Sequence, residues 1–306
     1  MSIDLIDLTT WRSAHPHERQ QVIDTLDTSL RKTGFVLVTG HGVSTTLRQA
    51  VRDAARTFFD LPPGVKDRYR NERGIGWTGR HAVSVGAIAN PTSPPDLVEI
   101  WTARAHHHQR WPREAPELQG SVEMYLREMR RLSRELLGLF ADALGQPSDF
   151  LTRYDPDAAW TCNINWYPSR GQSGTPRPGQ YRMGAHQDWN LMTVLDRQAA
   201  MGGLQICTNP ENSADPRTGW EDAPQHPDAL TINLGELGAM YSGERWKAGW
   251  HRVLPPHEGA PEQTSLVYFY MPQPGAPLPP SPHRDTGNAT TAGEFNTRRL
   301  EAIYEN

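Results

Sequence analysis

Apolar positions in the first part of the chain recur at helical spacing, broken by one continuous run. Val22, Ile23, Leu26 and Leu30 share a helix face, and Gly34 stands where a helix terminates in a left-handed residue. Phe35-Val-Leu-Val38 predicts a short buried strand that ends at the turn Gly40-His41-Gly42. Ser44 is a candidate N-cap for a second helix with Leu47, Val51, Ala54 and Phe58 on its inner face, ended by Leu61-Pro-Pro63. Residues 64–116 lose periodicity and are rich in Gly, Pro and His, and only Asp96–Trp101 reads as a strand there. From about residue 117 to 144 one long amphipathic helix is predicted, with Val122, Leu126, Met129, Leu132, Leu136 and Leu139 or Phe140 aligned, closed by Gly145.

Beyond residue 159 the pattern changes to short apolar stretches between turn residues. The candidate strands are Thr161–Tyr167, Gln180–His186, Leu191–Asp196, Gly203–Cys207, Ala229–Leu234, Gly249–Leu254 and Thr264–Met271. Thr291-Ala-Gly-Glu294 is a capping box that opens a last helix running to Tyr304. Evenly spaced short strands predict a sandwich, jelly roll or barrel. The expected organisation is an α/β region over 1–116, a long supporting helix and linker over 117–158, a β core over 159–280 and a tail with a helix over 281–306. These are expected to pack as one unit, mainly β with α.

Composition narrows the function. The 306 residues carry a formal net charge of −4 and are 37% hydrophobic, which gives no basic surface for nucleic acid or an anionic membrane. The run Arg127–Arg134 lies on the long helix opposite its leucines and reads as a solvated face. No apolar stretch approaches the roughly 20 residues that span a bilayer, and residues 1–10 lack the basic start of a signal peptide. Two cysteines, Cys162 and Cys207, are too few for a disulfide framework and read as core thiols. A cytoplasmic protein, monomeric or weakly dimeric, with a small-molecule partner is expected.

The candidate chemistry is a metal site. Two imidazoles and a carboxylate on one face of an octahedral metal leave the opposite face open for reactants. On a strand, residues i and i+2 point the same way, so His-x-Asp presents two ligands together and a later histidine completes the set. The chain holds His186-Gln-Asp188, His226-Pro-Asp228 and His283-Arg-Asp285. The third sits in a proline-rich loop with no histidine after it. The second has a proline that a paired strand does not favour, and it lies too close to His251. The first sits in strand-like sequence and leaves room for about four strands before His251. Spacing alone leaves open that His186 and Asp188 are a surface pair on a strand end. His106-His-His108 alternates faces and reads as a solvated loop.

The surrounding segments carry a resemblance. Gly34–Val43 resembles the N-terminal strand and His-Gly turn of the isopenicillin N synthase and plant 2-oxoglutarate (2OG) oxygenase family. Asp96–Trp101, Asn163-Ile-Asn-Trp-Tyr-Pro168, Gly184–Val194, Asn233–Leu237, Ser242–Lys247 and His251-Arg-Val253 follow in that family's order. The resemblance implies a double-stranded β-helix, or jelly roll, with Fe(II) on His186, Asp188 and His251 as the ligands and no further catalytic side chain. It also implies oxidation of a small natural-product or amino-acid-derived substrate by O2 with 2OG as cosubstrate, through hydroxylation, desaturation or cyclisation.

In that family the far carboxylate of 2OG is held by an Arg-x-Ser pair and the tyrosine of Asn-x-Tyr. Tyr167 and Ser265 are retained here, but Gln263 stands at the arginine position. Glutamine lacks the charge and the fork. Arg182, four residues before His186, is the expected substitute, whereas Arg252 should point away. Two alternatives stay open: an oxidase of the isopenicillin N synthase kind that uses O2 without 2OG, and a non-catalytic ligand-binding member. The substrate pocket is expected to involve the segment around Trp77, Arg80 and His81, together with Trp101, Trp189 and Tyr270. Arg80 and Arg104 are candidates for binding a substrate carboxylate.

Overall fold

The computed structural model describes residues 3–12, 15–88, 92–154, 158–198, 202–208, 218–281 and 286–304. Among these residues the strands in chain order are β1 (Leu5–Asp7), β2 (Phe35–Thr39), β3 (Gly76–Thr78), β4 (Glu99–Arg104), β5 (Ala159–Tyr167) and β6 (Met183–His186). They continue with β7 (Met192–Asp196), β8 (Leu204–Cys207), β9 (Trp220–Asp222), β10 (Leu230–Leu234), β11 (His251–Val253) and β12 (Gln263–Met271). The larger sheet has the order β1-β2-β10-β7-β12-β5-β4-β3 and the smaller the order β6-β11-β8-β9. The result is the jelly-roll arrangement of two facing sheets with helices packed outside, as expected.

The alternation on β12 shows how the sequence selects the two faces. Leu266, Tyr268 and Tyr270 are fully buried and join the apolar cluster that also holds Leu126, Met129, Leu132 and Leu136 of the helix Glu117–Ala143. Gln263, Ser265, Val267, Phe269 and Met271 face the other way, into a cavity between the sheets. The long helix has its predicted bounds to within one residue because its apolar positions form an unbroken stripe. It packs on the helix Thr45–Phe59, which Ser44 caps by accepting the Leu47 amide hydrogen at 3.4 Å.

Several boundaries differ from expectation. The strand expected at Asp96–Trp101 begins at Glu99, because the backbone amides of Asp96 and Leu97 donate to the carbonyls of Val83 and Tyr181 outside the ladder, while the Asp96 carboxylate accepts the amides of Val85 and Gly184. β1, β3 and β9 are three-residue strands that carry too few positions to show a period. The strand expected over Gln180–His186 is regular only from Met183, and a register shift interrupts its pairing with β11.

Two buried carboxylates hold the helical layer to the large sheet. Asp196, wholly buried at the end of β7, accepts Arg48 at 3.1 Å and Arg52 at 2.9 Å from the helix Thr45–Phe59. Glu99 at the start of β4 binds Lys66 at 2.7 Å and the Trp77 indole at 2.9 Å.

Candidate active site

His186 and Asp188 end up beside His251 because β6 and β11 pair antiparallel, with His186 directly opposite His251. The two imidazole centroids are 4.2 Å apart. One ligand atom from each of His186, Asp188 and His251 lies within 4.8 Å of the others, which makes this a group able to hold a metal ion among the described residues. Close backbone packing fixes the approach. A Cβ on Gly184 would sit 2.6 Å from the Cα of Gly86, and one on Gly249 would sit 2.1 Å from the Phe35 ring. Phe35 in turn meets the His251 ring edge-on at 5.7 Å. Glycine is required at both positions because a side chain would push a ligand-bearing strand away from its support.

The donor atoms are oriented as a metal centre requires. Nδ1 of His186 is 2.8 Å from the Gly184 carbonyl and Nδ1 of His251 is 3.1 Å from the Gly249 carbonyl. That places the proton on Nδ1 and leaves both Nε2 atoms as acceptors. The Nε2 of His186 lies 3.8 Å from Asp188 Oδ1. The other oxygen, Oδ2, accepts Thr193 Oγ1 at 2.6 Å and Asn233 Nδ2 at 2.7 Å, so Oδ1 is left for a cation.

Electrostatics agrees with this assignment. Burial, reinforced by His251, pushes the His186 imidazole down to about 4, which keeps it in the neutral, ligating form at physiological pH. Burial acts to raise the Asp188 carboxyl, but His251, His186, Thr193 and Asn233 outweigh it and hold the group below its ordinary value.

Thr193 and Asn233 are functional positions that spacing does not reveal, since Asn233 arrives from β10 across the sheet. Thr193→Val and Asn233→Ala should each weaken Fe(II) binding ~10–100-fold while leaving the fold intact. Anaerobic Fe(II) titration against a competing chelator, beside the urea midpoint, checks this.

The cavity at these residues has a volume of about 1070 Å³ and takes its walls from both sheets. Tyr167, Gln263 and Ser265 line it, as do Trp77, Trp189 and Arg104. Trp77 is nevertheless mostly buried and its indole is committed to Glu99. Trp189 donates to Asn296 on the helix Ala292–Tyr304 at 2.9 Å.

Four expectations are corrected. Trp101 points into the helical core, with its ring 4.7 Å from Phe58. Tyr270 belongs to the outward parity of β12. Arg80 bonds to the Gln172 carbonyl and pairs with Glu99 outside the cavity wall. Arg182 does not share a face with His186, because the register shift between β6 and β11 brings Met183 inward instead. Its guanidinium is held by the carbonyls of Pro168 and Pro261, behind the Tyr167 ring.

Arg252 points away, over Trp220 at 4.3 Å and onto Gln205. The His226 and Asp228 side chains are exposed, with the Asp228 amide closing back on His226. His107 bonds to the Ala105 carbonyl in a turn, and His283-Arg-Asp285 lies outside the described residues. A cavity-lining cation that spacing missed is Arg197, just past β7.

Comparison with known proteins places this geometry. The model for the N-terminal region of non-haem dioxygenases in morphine synthesis matches residues 3–121, and the 2OG-Fe(II) oxygenase superfamily model matches residues 151–272. Validamycin A dioxygenase of Streptomyces hygroscopicus subsp. limoneus is 33% identical over 296 residues, covering 91% of this chain and 79% of that protein. The chain belongs to the 2OG-Fe(II) oxygenase superfamily.

Jasmonate-induced oxygenase 2 of Arabidopsis thaliana is 26% identical over 91% of the chain and 72% of its own length. The crystal structure of a 2OG-Fe(II) oxygenase family protein from Caulobacter crescentus superposes with a TM-score of 0.79 at 21% identity, covering 98% of this chain and 99% of that one. As a superfamily member the chain is an Fe(II)/2OG-dependent dioxygenase acting on a small molecule, with O2 as the second cosubstrate. The readings as a 2OG-independent oxidase and as a non-catalytic binder are set aside. No helix of the described residues is long and apolar enough to cross a membrane.

Proposed function

We propose that this oxygenase binds Fe(II) through His186, Asp188 and His251 and oxidises a hydroxyl-rich small natural product in the cavity between its sheets. The observation that carries the substrate class is the character of the wall beside the three ligands. Thr102, Thr161 and Asn163 present hydroxyls and an amide there, and the Oδ1 atom of Asn163 is buried without a hydrogen-bond partner among the described residues. A buried acceptor left unpaired costs about 1–3 kcal/mol, so a ligand that donates hydroxyl hydrogens to this wall gains against an apolar one. The similarity to validamycin A dioxygenase supports the same class.

His186, Asp188 and His251 would hold the metal, which would supply O2 activation coupled to the oxidative decarboxylation of 2OG. The overall balance is substrate, O2 and 2OG going to product, succinate and CO2, with one oxygen atom kept by succinate and the other kept by a hydroxylated product or released as water when two hydrogens are removed. The chain's own contribution is to fix two neutral imidazoles and one carboxylate on one side, to orient the substrate against the polar wall at Thr102, Thr161 and Asn163, and to exclude water. Tyr167, Ser265 and Gln263 face the cosubstrate end, and Trp77 and Trp189 face the substrate end. The free buried thiols Cys162 and Cys207 support a reducing, cytoplasmic setting, and the net charge of −4 supports a protein that binds neither nucleic acid nor an anionic membrane.

The test is succinate formation over a substrate panel containing validamycin A, other polyhydroxylated cyclitols and apolar acids of similar size. Hydroxyl-rich compounds should stimulate succinate release above the uncoupled rate. Product mass then separates hydroxylation, which adds one oxygen, from desaturation or ring closure, which removes two hydrogens. Stimulation by the apolar acids alone would overturn the substrate class.

A further inference from the structure

The cosubstrate poses a charge problem that the retained residues do not solve. 2OG is a dianion whose chelating end belongs at the metal, so its second carboxylate must be placed deeper in the cavity. A carboxylate taken from water without a partner costs several kcal/mol. Tyr167, Gln263 and Ser265 offer only neutral donors, and Arg182 does not line the cavity, its guanidinium lying on the Tyr167 ring between the Pro168 and Pro261 carbonyls.

We infer that Arg197 is the cation that anchors the distal carboxylate of 2OG, acting from the strand beside the one that carries Gln263 and Ser265. This deepens the cosubstrate assignment and rests on it. The register carries the argument. β7 and β12 pair antiparallel with Val267 opposite Leu195 and Leu266 opposite Asp196, so the next step sets Ser265 opposite Arg197. The neighbouring contact agrees, since the Thr264 amide donates to Gln198 Oε1 at 3.0 Å. Directly opposed residues share a face. Thr193, Leu195 and Arg197 accordingly line the cavity in one row, and Gln263, Ser265 and Val267 line it in the adjacent row.

Reach also fits. Thr193 touches the ligand Asp188, and four residues of strand carry the chain about 13 Å from there. That interval suits a five-carbon dicarboxylate followed by an arginine side chain.

The state of Arg197 completes the case. Its guanidinium bonds to the carbonyls of Ala223 and Pro224, and no carboxylate among the described residues pairs with it. Among the other arginines on the cavity wall, Arg70 pairs with Asp67 and Arg299 with Glu236, while Arg104 lies on β4, away from the paired β7 and β12, and donates to the Arg73 carbonyl. Burial pushes the Arg197 guanidinium down to about 10, so it is charged at neutral pH yet uncompensated. Arg197 therefore holds a positive charge in a partly desolvated wall, at the depth where the cosubstrate brings a negative one. The fork suits a carboxylate.

The test reads binding, not turnover. The Fe(II) protein is titrated anaerobically with 2OG and with 2-oxopentanoate, which has the same carbon chain without the distal carboxylate, and the 2-oxo acid-to-iron charge-transfer band is followed. The wild type should prefer 2OG by at least ~100-fold, in line with a charge-assisted bidentate contact. Arg197→Gln should collapse that preference to within a few-fold with Fe(II) affinity unchanged. Adding Gln263→Arg to Arg197→Gln should restore it, because the cation returns to the opposed strand. The preference is a ratio within one sample, so partial loss of folded protein does not move it. An Arg197→Gln protein that keeps the wild-type preference overturns the role of Arg197 and leaves the cosubstrate intact. A wild type that shows no band with 2OG overturns the cosubstrate assignment itself.

Discussion

Alanine at His251 should abolish productive iron binding and cut substrate-stimulated succinate formation by more than the ~100-fold expected for losing a residue that only supports a ligand. The reason is geometric. β11 contributes a single ligand, and the imidazole faces His186 directly across the strand pair. With it gone, His186 at the end of β6 and Asp188 just beyond it remain as two near neighbours, which cannot cap one face of an octahedral ion. The fold should tolerate the change, because His251 is only partly buried and its ring packs against the His186 ring and the edge of Phe35. Fe(II) affinity, O2 uptake and the urea midpoint should be measured on the same preparation. Unchanged O2 uptake in the alanine variant would remove the metal assignment, whereas a collapsed midpoint would show that the residue is needed for folding first. His186→Ala should behave in the same way.

Asp196→Ala should destabilise the protein by ~3–5 kcal/mol, the range for removing one partner of a buried ion pair. Asp196 is wholly buried and is shared by Arg48 and Arg52, themselves more than nine-tenths buried. Removing the carboxylate strands two cations between the helix Thr45–Phe59 and the large sheet. The loss should appear as a lower urea midpoint, and replacing Arg48 and Arg52 by methionine in the same chain should recover most of it. A shift under about 1 kcal/mol would mean that water reaches the two guanidinium groups. Asp196 and Arg197 are adjacent on one extended segment, so their side chains leave opposite faces of the sheet. Asp196 binds the helical layer while Arg197 lines the cavity, and the two substitutions should therefore separate stability from cosubstrate binding.

Much of this was legible in the sequence because it depends on local periodicity. The stripe from Val122 to Phe140 could only be a helix, and the run Thr264–Met271 between turn residues read as a strand. The spacing of His186-Gln-Asp188 placed two ligands on one side of a chain, and the room before His251 allowed a third to return. Those features need no knowledge of which element packs on which.

Other features were hidden because they depend on register and on what lies opposite. One shift in the pairing of β6 with β11 exchanged Arg182 for Met183 on the cavity wall. Trp101 and Tyr270 read as pocket aromatics until the face of each strand was known. Nothing in the spacing of Asn233 from Asp188 announces a hydrogen bond that spans two strands. The sequence by itself determined the longer elements, the fold class and the three ligand types, since periodicity and side-chain chemistry are properties of the chain. Tertiary structure alone decided which arginine faces the cosubstrate, because a one-residue slip between strands reverses every side chain along it and leaves no trace in the order of the amino acids.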